Sequence, residues 1–127
     1  MTPLALLMHR EMEQIHLDAT LLDAAKKMRE KKVGALLVCD NAGLQIGIVS
    51  EVDFVRRAVA LGLDMATTRV SEIMSQPLIT IDIDKTAQEA NDLMSDKKIR
   101  HLLITSREEV VGIISMRDLV LCYKNRI

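Results

Sequence analysis

The sequence predicts a mixed α+β fold: two copies of a β-α-β-β-α unit related by a pseudo-twofold axis, with small mixed sheets flanked by helices. Three observations carry this. Residues 20–38 (TLLDAAKKMREKKVGALLV) align with 86–104 (TAQEANDLMSDKKIRHLLI) at an offset of 66, with seven of 19 positions identical and four more Asp/Glu or Val/Ile exchanges. After a one-residue slip, Gly47-Ile48-Val49-Ser50-Glu51-Val52-Asp53 falls over Gly112-Ile113-Ile114-Ser115-Met116-Arg117-Asp118. Within each copy the apolar pattern passes from helical spacing to near-continuous strand runs and back. A period near 65 is too long for a solenoid unit, and two copies are too few for an array. Units this small bury too little surface to stand alone. Copy one (1–66) and copy two (67–127) are therefore expected to share a core and to form composite clefts.

Each copy opens with a short extended piece, Ile15-His16-Leu17 or Ile79-Thr80-Ile81. A helix then starts at Thr20 or Thr86, each followed at +3 by an acid (Asp23, Glu89) in a capping-box pattern. Leu21, Ala24, Ala25 and Met28, with Ala87, Ala90, Leu93 and Met94, repeat at helical spacing. Both helices end on a Lys-Lys pair (31–32, 97–98), suited to the negative end of a helix dipole. Apolar strands follow at 33–39 and 99–104. Asp40-Asn41-Ala42-Gly43 is a strong turn signal and Ser106-Arg107-Glu108-Glu109 a weaker one. Return strands at 44–49 and 110–114 lead into helices at 51–61 and 116–124, the first stopped by Gly62. Residues 63–69 are a linker. Val70–Met74 is a short lead-in helix closed by Pro77, and Leu4–Met8 takes the matching place in copy one.

Composition narrows the function. About half the residues are hydrophobic (49%), yet there is one Phe, one Tyr and no Trp, so a flat ligand would lie between aliphatic side chains. A net charge of −1 from 17 basic and 18 acidic residues leaves no footprint for nucleic acid. Lys26, Lys27, Arg29, Lys31 and Lys32 share an amphipathic helix with Asp23 and Glu30 and read as a solvated face. Cys39 and Cys122 stand alone, without metal-ligand or redox spacing, and read as small buried hydrophobes in a reduced, cytoplasmic setting. The start lacks a basic leader and a cleavage site, and no apolar run approaches the ~20 residues of a membrane span. Met1 and the tail Lys124-Asn125-Arg126-Ile127 suit a complete small soluble protein with no membrane partner. His9, His16 and His101 are scattered, with no carboxylate or Cys at ligand or triad spacing, and no phosphate-cradling glycine loop occurs. No metal site and no enzyme activity are expected.

The candidate site is the motif G-I-[VI]-S-x-x-D at 47–53 and 112–118. Ser followed three residues later by an acid is itself a helix cap. The glycine three residues before each Ser adds a second meaning: inside a strand it marks close approach of a ligand or of another backbone. At the junction of strand end and helix start, free N–H groups and the helix dipole favour anions. A carboxylate there can accept both hydroxyls of a ribose. Capping and binding are compatible.

This unit, its Ser-x-x-Asp ending and the lead-in V-S-E-I-M-S-Q-P-L-I-T (70–80) together resemble a tandem pair of CBS (cystathionine-β-synthase) domains, a Bateman module, over about residues 4–124. The resemblance implies a regulatory, energy-sensing module that needs no cofactor and binds AMP, ADP, ATP, NAD or S-adenosylmethionine between its repeats. It assigns the ribose to Asp53 and Asp118, assisted by Ser50 and Ser115. Thr80 and Ile81 would supply further contacts, and Ile99, Arg100 and His101 would wall the base and reach phosphate. It also implies a homodimer formed through helices and an effector partner, or a dimerisation or interaction module of the same fold that binds no ligand. Copy one departs from the pattern: Gly34-Ala35 stands where copy two has Arg100-His101, and Arg10–Gln14 lacks the polar-Pro-x-x-Thr lead-in. Leu36-Leu37 and Leu102-Leu103 stand where relatives often carry Pro. The two clefts are therefore unequal, and a phosphorylated ligand is expected to suit only one well.

Overall fold

A computed structural model describes residues 2–124; Met1 and residues 125–127, at the ends expected of a complete chain, lie outside the described residues. The chain forms two compact units: residues 13–78, and residues up to Met12 together with those from Ile79 onward. The sequence halves 1–66 and 67–127 are units of repetition. The compact units are cut differently, because each lead-in packs on the strands of the other copy.

In the unit of residues 13–78, β1 (Gln14–His16) runs parallel to β2 (Ala35–Cys39), which pairs antiparallel with β3 (Gln45–Ser50). In the other unit β4 (Thr80–Asp82), β5 (His101–Ser106) and β6 (Glu109–Ser115) repeat this order and pairing. The opening strands superpose at the offset of the helices; the expected 79–81 lies one residue early. Both central strands bulge at matching places, Val38/Cys39 and Ile104/Thr105. The hairpins differ. Cys39 pairs with Gln45 across five residues, whereas Thr105 pairs with Val110 across four, which accounts for the one-residue slip. The shorter hairpin turns on Arg107 and Glu108, both left-handed (φ 52° and 67°), without the glycine such a turn favours.

Helices α2 (Leu21–Lys31) and α4 (Ala87–Lys97) carry complete capping boxes: Asp23 and Glu89 N–H groups donate to Thr20 and Thr86 Oγ1 at 3.1 and 3.0 Å. They end not on glycine but on left-handed Lys32 and Lys98, whose N–H groups close onto Met28 and Met94 carbonyls. Leu21, Ala24 and Met28 face a core with Leu36, Val38, Val49, Ala58, Val70 and Ile73. Ala87, Ala90 and Met94 face a separate core with Leu4, Met8, Ile81, Leu102, Ile104, Ile114 and Leu119. Cys39 is buried as expected and Cys122 is half-buried.

The closing helices diverge. α5 (Met116–Lys124) is α-helical. Its counterpart begins as α3 (Glu51–Asp53) and widens into a π-helical stretch, Phe54–Val59, where Ala60 N–H donates to the Val55 carbonyl at 3.0 Å. Gly62, at φ 68°, ends it. The lead-ins are α1 (Leu4–Leu7) and a single 3₁₀ turn, Val70–Glu72, shorter than the expected 70–74 helix. No helix among the described residues is long and apolar enough to cross a membrane.

Candidate functional site

Each unit builds the same junction of strand end and helix start. Ser115 ends β6 and caps α5: its Oγ accepts from Asp118 N–H at 3.1 Å and donates to Asp118 Oδ2 at 2.9 Å. Ser115 N–H donates to the same oxygen at 2.8 Å. In the other unit Asp53 Oδ2 accepts from Ser50 N–H at 2.9 Å and from Ser50 Oγ at 3.2 Å. The cap therefore uses one oxygen of each acid and turns the other outward from the helix end. Neither carboxylate faces bulk water, with side-chain exposures of 10% for Asp53 and 14% for Asp118.

The lead-in of the other copy supplies the partner of that second oxygen. His9 Nε2 lies 2.9 Å from Asp118 Oδ1, and Ser75 Oγ donates to Asp53 Oδ1 at 3.3 Å. Arg57 Nε stands 3.7 Å from Asp53 Oδ1, while its Nη1 donates to the Ile73 and Met74 carbonyls. Spacing along the chain leaves the three histidines scattered. The structure corrects this for His9, 109 residues from its carboxylate. His16 instead pairs with Asn41 Oδ1. The missed signal lay in the repeat itself: the offset that aligns the helices puts Met8-His9 over Met74-Ser75.

Main-chain pairing holds these lead-ins in place. His9 and Ile113 exchange N–H···O bonds of 2.8 and 2.9 Å, and Ser75 and Ile48 exchange bonds of 2.8 and 3.0 Å. This settles the two meanings of the strand glycines. Close approach at Gly112 and Gly47 is made by backbone, since an added Cβ would stand 3.0 Å from His9 O and 2.9 Å from Ser75 O. Only glycine lets the lead-in lie so near.

Of the other candidates, Arg100 and His101 come to the junction. His101 pairs across the sheet with Ser115, and Met116 N–H donates to Arg100 O at 2.8 Å. Ile99 is half-buried against the core of its unit. Thr80 is exposed on β4, opposite Leu103. Ile81 turns inward by strand alternation and its side chain belongs to that core. Among the described residues no group of three metal-capable side chains comes together.

The sequence matches the CBS domain family twice, over residues 5–60 and 70–125. The chain belongs to the CBS domain family. This CBS pair is 34% identical over 107 residues to the mitochondrial CBS domain-containing protein CBSX3 of Arabidopsis thaliana, a match covering 81% of the chain and 52% of that protein. It spans about half the length of the curated relatives it matches first (52% for CBSX3 and for MK0525 of Methanopyrus kandleri). Solved structures are similar over nearly the whole chain. A conserved, uncharacterized protein from Pyrococcus horikoshii superposes with a TM-score of 0.87 at 27% identity, covering 99% of this chain and 95% of that one. A hexameric CBS-CP12 protein from bloom-forming cyanobacteria gives 0.86 at 30% identity, covering 98% and 72%.

Proposed function

We propose that this CBS pair is a regulatory module that senses an adenosine-containing compound (AMP, ADP, ATP, NAD or S-adenosylmethionine) and acts by binding rather than catalysis. One observation carries the reading. The same Ser-x-x-Asp corner is built twice, and each time one carboxylate oxygen is fixed by the cap while the other meets replaceable side chains, His9 at Asp118 and Ser75 with Arg57 at Asp53. Ribose hydroxyls would take that second oxygen of Asp53 or Asp118, with Ser50 and Ser115 holding the acids in place. Arg100, His101, Thr80 and Ile99 would supply the remaining contacts, and Ile81 would support them from the core. Output would pass through a homodimer or an effector protein. The hexameric CBS-CP12 neighbour supports self-association. So do the exposed apolar residues on the closing helices, Val55 and Val59 on one, Val120 and Leu121 on the other. Two free cysteines fit a reduced cytoplasmic setting.

Thermal-shift titration with these five compounds tests the reading. A ligand at 100 times its dissociation constant adds about 2.7 kcal/mol of stability; no shift with any of them refutes it. A second reading is a dimerisation or interaction module without a ligand. It is favoured because protein groups already hold both oxygens of each acid. Under it, Asp53→Ala and Asp118→Ala leave the oligomeric state unchanged in light scattering, and there is no nucleotide response to lose.

A further inference from the structure

The two junctions are alike in their acids and opposite in the charge beside them. The first helical residue of each junction donates its N–H to the residue that opens the central strand's apolar run: Met116 to Arg100 O at 2.8 Å, Glu51 to Gly34 O at 3.0 Å. The residue pairs 100/116 and 34/51 therefore occupy the same spot in their units. In one, that spot carries Arg100, with its side chain exposed, and the uncharged Met116. In the other, Gly34 has no side chain, and the Glu51 carboxylate folds back over it. Glu51 Oε1 lies 3.4 Å, and its Cδ 3.5 Å, from where a Cβ on residue 34 would stand. A carboxylate thus lies in van der Waals contact with the place where the other junction's arginine side chain begins. The exchange is concerted: an arginine at 34 would meet Glu51, and a glycine at 100 would leave its junction without that cation.

Two neighbouring positions keep this opposition. Arg117, exposed, corresponds to Val52, and His101 corresponds to Ala35. Arg57 is the cation nearest Asp53, but it is shared among that carboxylate and the carbonyls of Ile73 and Met74. No cation among the described residues pairs with Glu51.

We infer that Glu51 is a specificity-determining residue: it bars phosphate from the Asp53 junction, which takes an uncharged or cationic adenosine compound, while the Asp118 junction takes a phosphorylated one. This rests on the nucleotide reading above. Like charge brought together at a binding site is strongly disfavoured, whereas ribose hydroxyls still find Asp53.

Calorimetry on the full chain with adenosine and AMP, a pair differing by one phosphate, tests the inference. Wild type is expected to bind AMP at one site per chain and adenosine at two. In an Asp118→Asn background, adenosine is expected to bind at least about tenfold more tightly than AMP. Adding Glu51→Gln, or Glu51→Met to copy the other junction, should erase that preference by raising AMP affinity alone. Equal binding of AMP and adenosine in Asp118→Asn overturns the inference, as does a preference that survives loss of Glu51. Should Asp118→Asn fail to fold, Glu51→Gln in the otherwise native chain decides by whether AMP stoichiometry rises from one to two. Failure of wild type to bind either compound removes the nucleotide reading and this inference together; binding without sorting by charge removes only the inference.

Discussion

Replacing Gly112 by Ala should destabilise the protein by about 2–3 kcal/mol, although in a strand alanine is ordinarily the better residue. The new Cβ would stand 2.6 Å from Met8 Sδ, 3.0 Å from Met8 Cγ and 3.0 Å from His9 O. The Met8 side chain is core, 8% exposed, and moving it costs about 1 kcal/mol of overpacking. The His9 carbonyl cannot retreat freely, because it accepts from Ile113 N–H at 2.9 Å while His9 N–H donates back at 2.8 Å. Weakening that pair adds about 1–2 kcal/mol. For a chain of 127 residues this amounts to a fall of roughly 8–12 °C in melting temperature, read by far-ultraviolet circular dichroism. Gly47→Ala should cost a comparable amount, since its Cβ would meet Ser75 O at 2.9 Å, a carbonyl that accepts from Ile48 N–H, and Met74 Sδ at 3.0 Å. Met8→Ala combined with Gly112→Ala should cost less than the sum of the two, because removing the thioether clears the nearest contact. Limited proteolysis should also cut sooner before Met12. A Gly112→Ala or Gly47→Ala protein within about 0.5 kcal/mol of wild type would refute this account of the glycines.

The tight hairpin gives a prediction of opposite sign. Arg107→Asn with Glu108→Gly supplies residues that accept two left-handed positions, so the melting temperature should rise by the equivalent of about 1–2 kcal/mol; an unchanged midpoint would show that the turn is unstrained. Cys39 predicts a pH dependence. Burial pushes its thiol pKa up, with Asp40 adding to the rise and Lys27 opposing it, and Sγ donates to Gln14 Oε1 at 2.8 Å. The folded state holds this proton more tightly than the unfolded chain, whose thiol ionises near about pH 8.5. The stability that Cys39 contributes is then complete below that pH and is lost as pH rises past it. Urea midpoints of wild type relative to Cys39→Val should fall between neutral and alkaline pH; a flat difference would exclude the thiol as the source.

Much of the site was legible because its signals are local. Thr20, Thr86, Ser50 and Ser115 each precede an acid by three residues, and all four cap as that spacing implies. The bounds of α2 and α4 follow from capping boxes and helical spacing. Besides the shortened 70–74 lead-in, the helix that differs in detail is 51–61, whose π-helical stretch keeps Ala58 buried while leaving Val55 and Val59 exposed. Hydrophobic periodicity over so short a segment does not separate the two helix types. His9 and Ser75 escaped notice for another reason: each reaches its acid only through a lead-in paired to a strand far away in sequence.

By itself the sequence determined the repeated unit, the caps and the placement of an acid at each strand–helix corner, because these depend on side chains within a few residues of one another. Tertiary structure alone decided that each lead-in packs on the strands of the other copy, that backbone is what crosses Gly47 and Gly112, and that Glu51 lies over Gly34. Those contacts join residues the chain keeps far apart, and their energies come from main-chain bridges and close packing that no local pattern encodes.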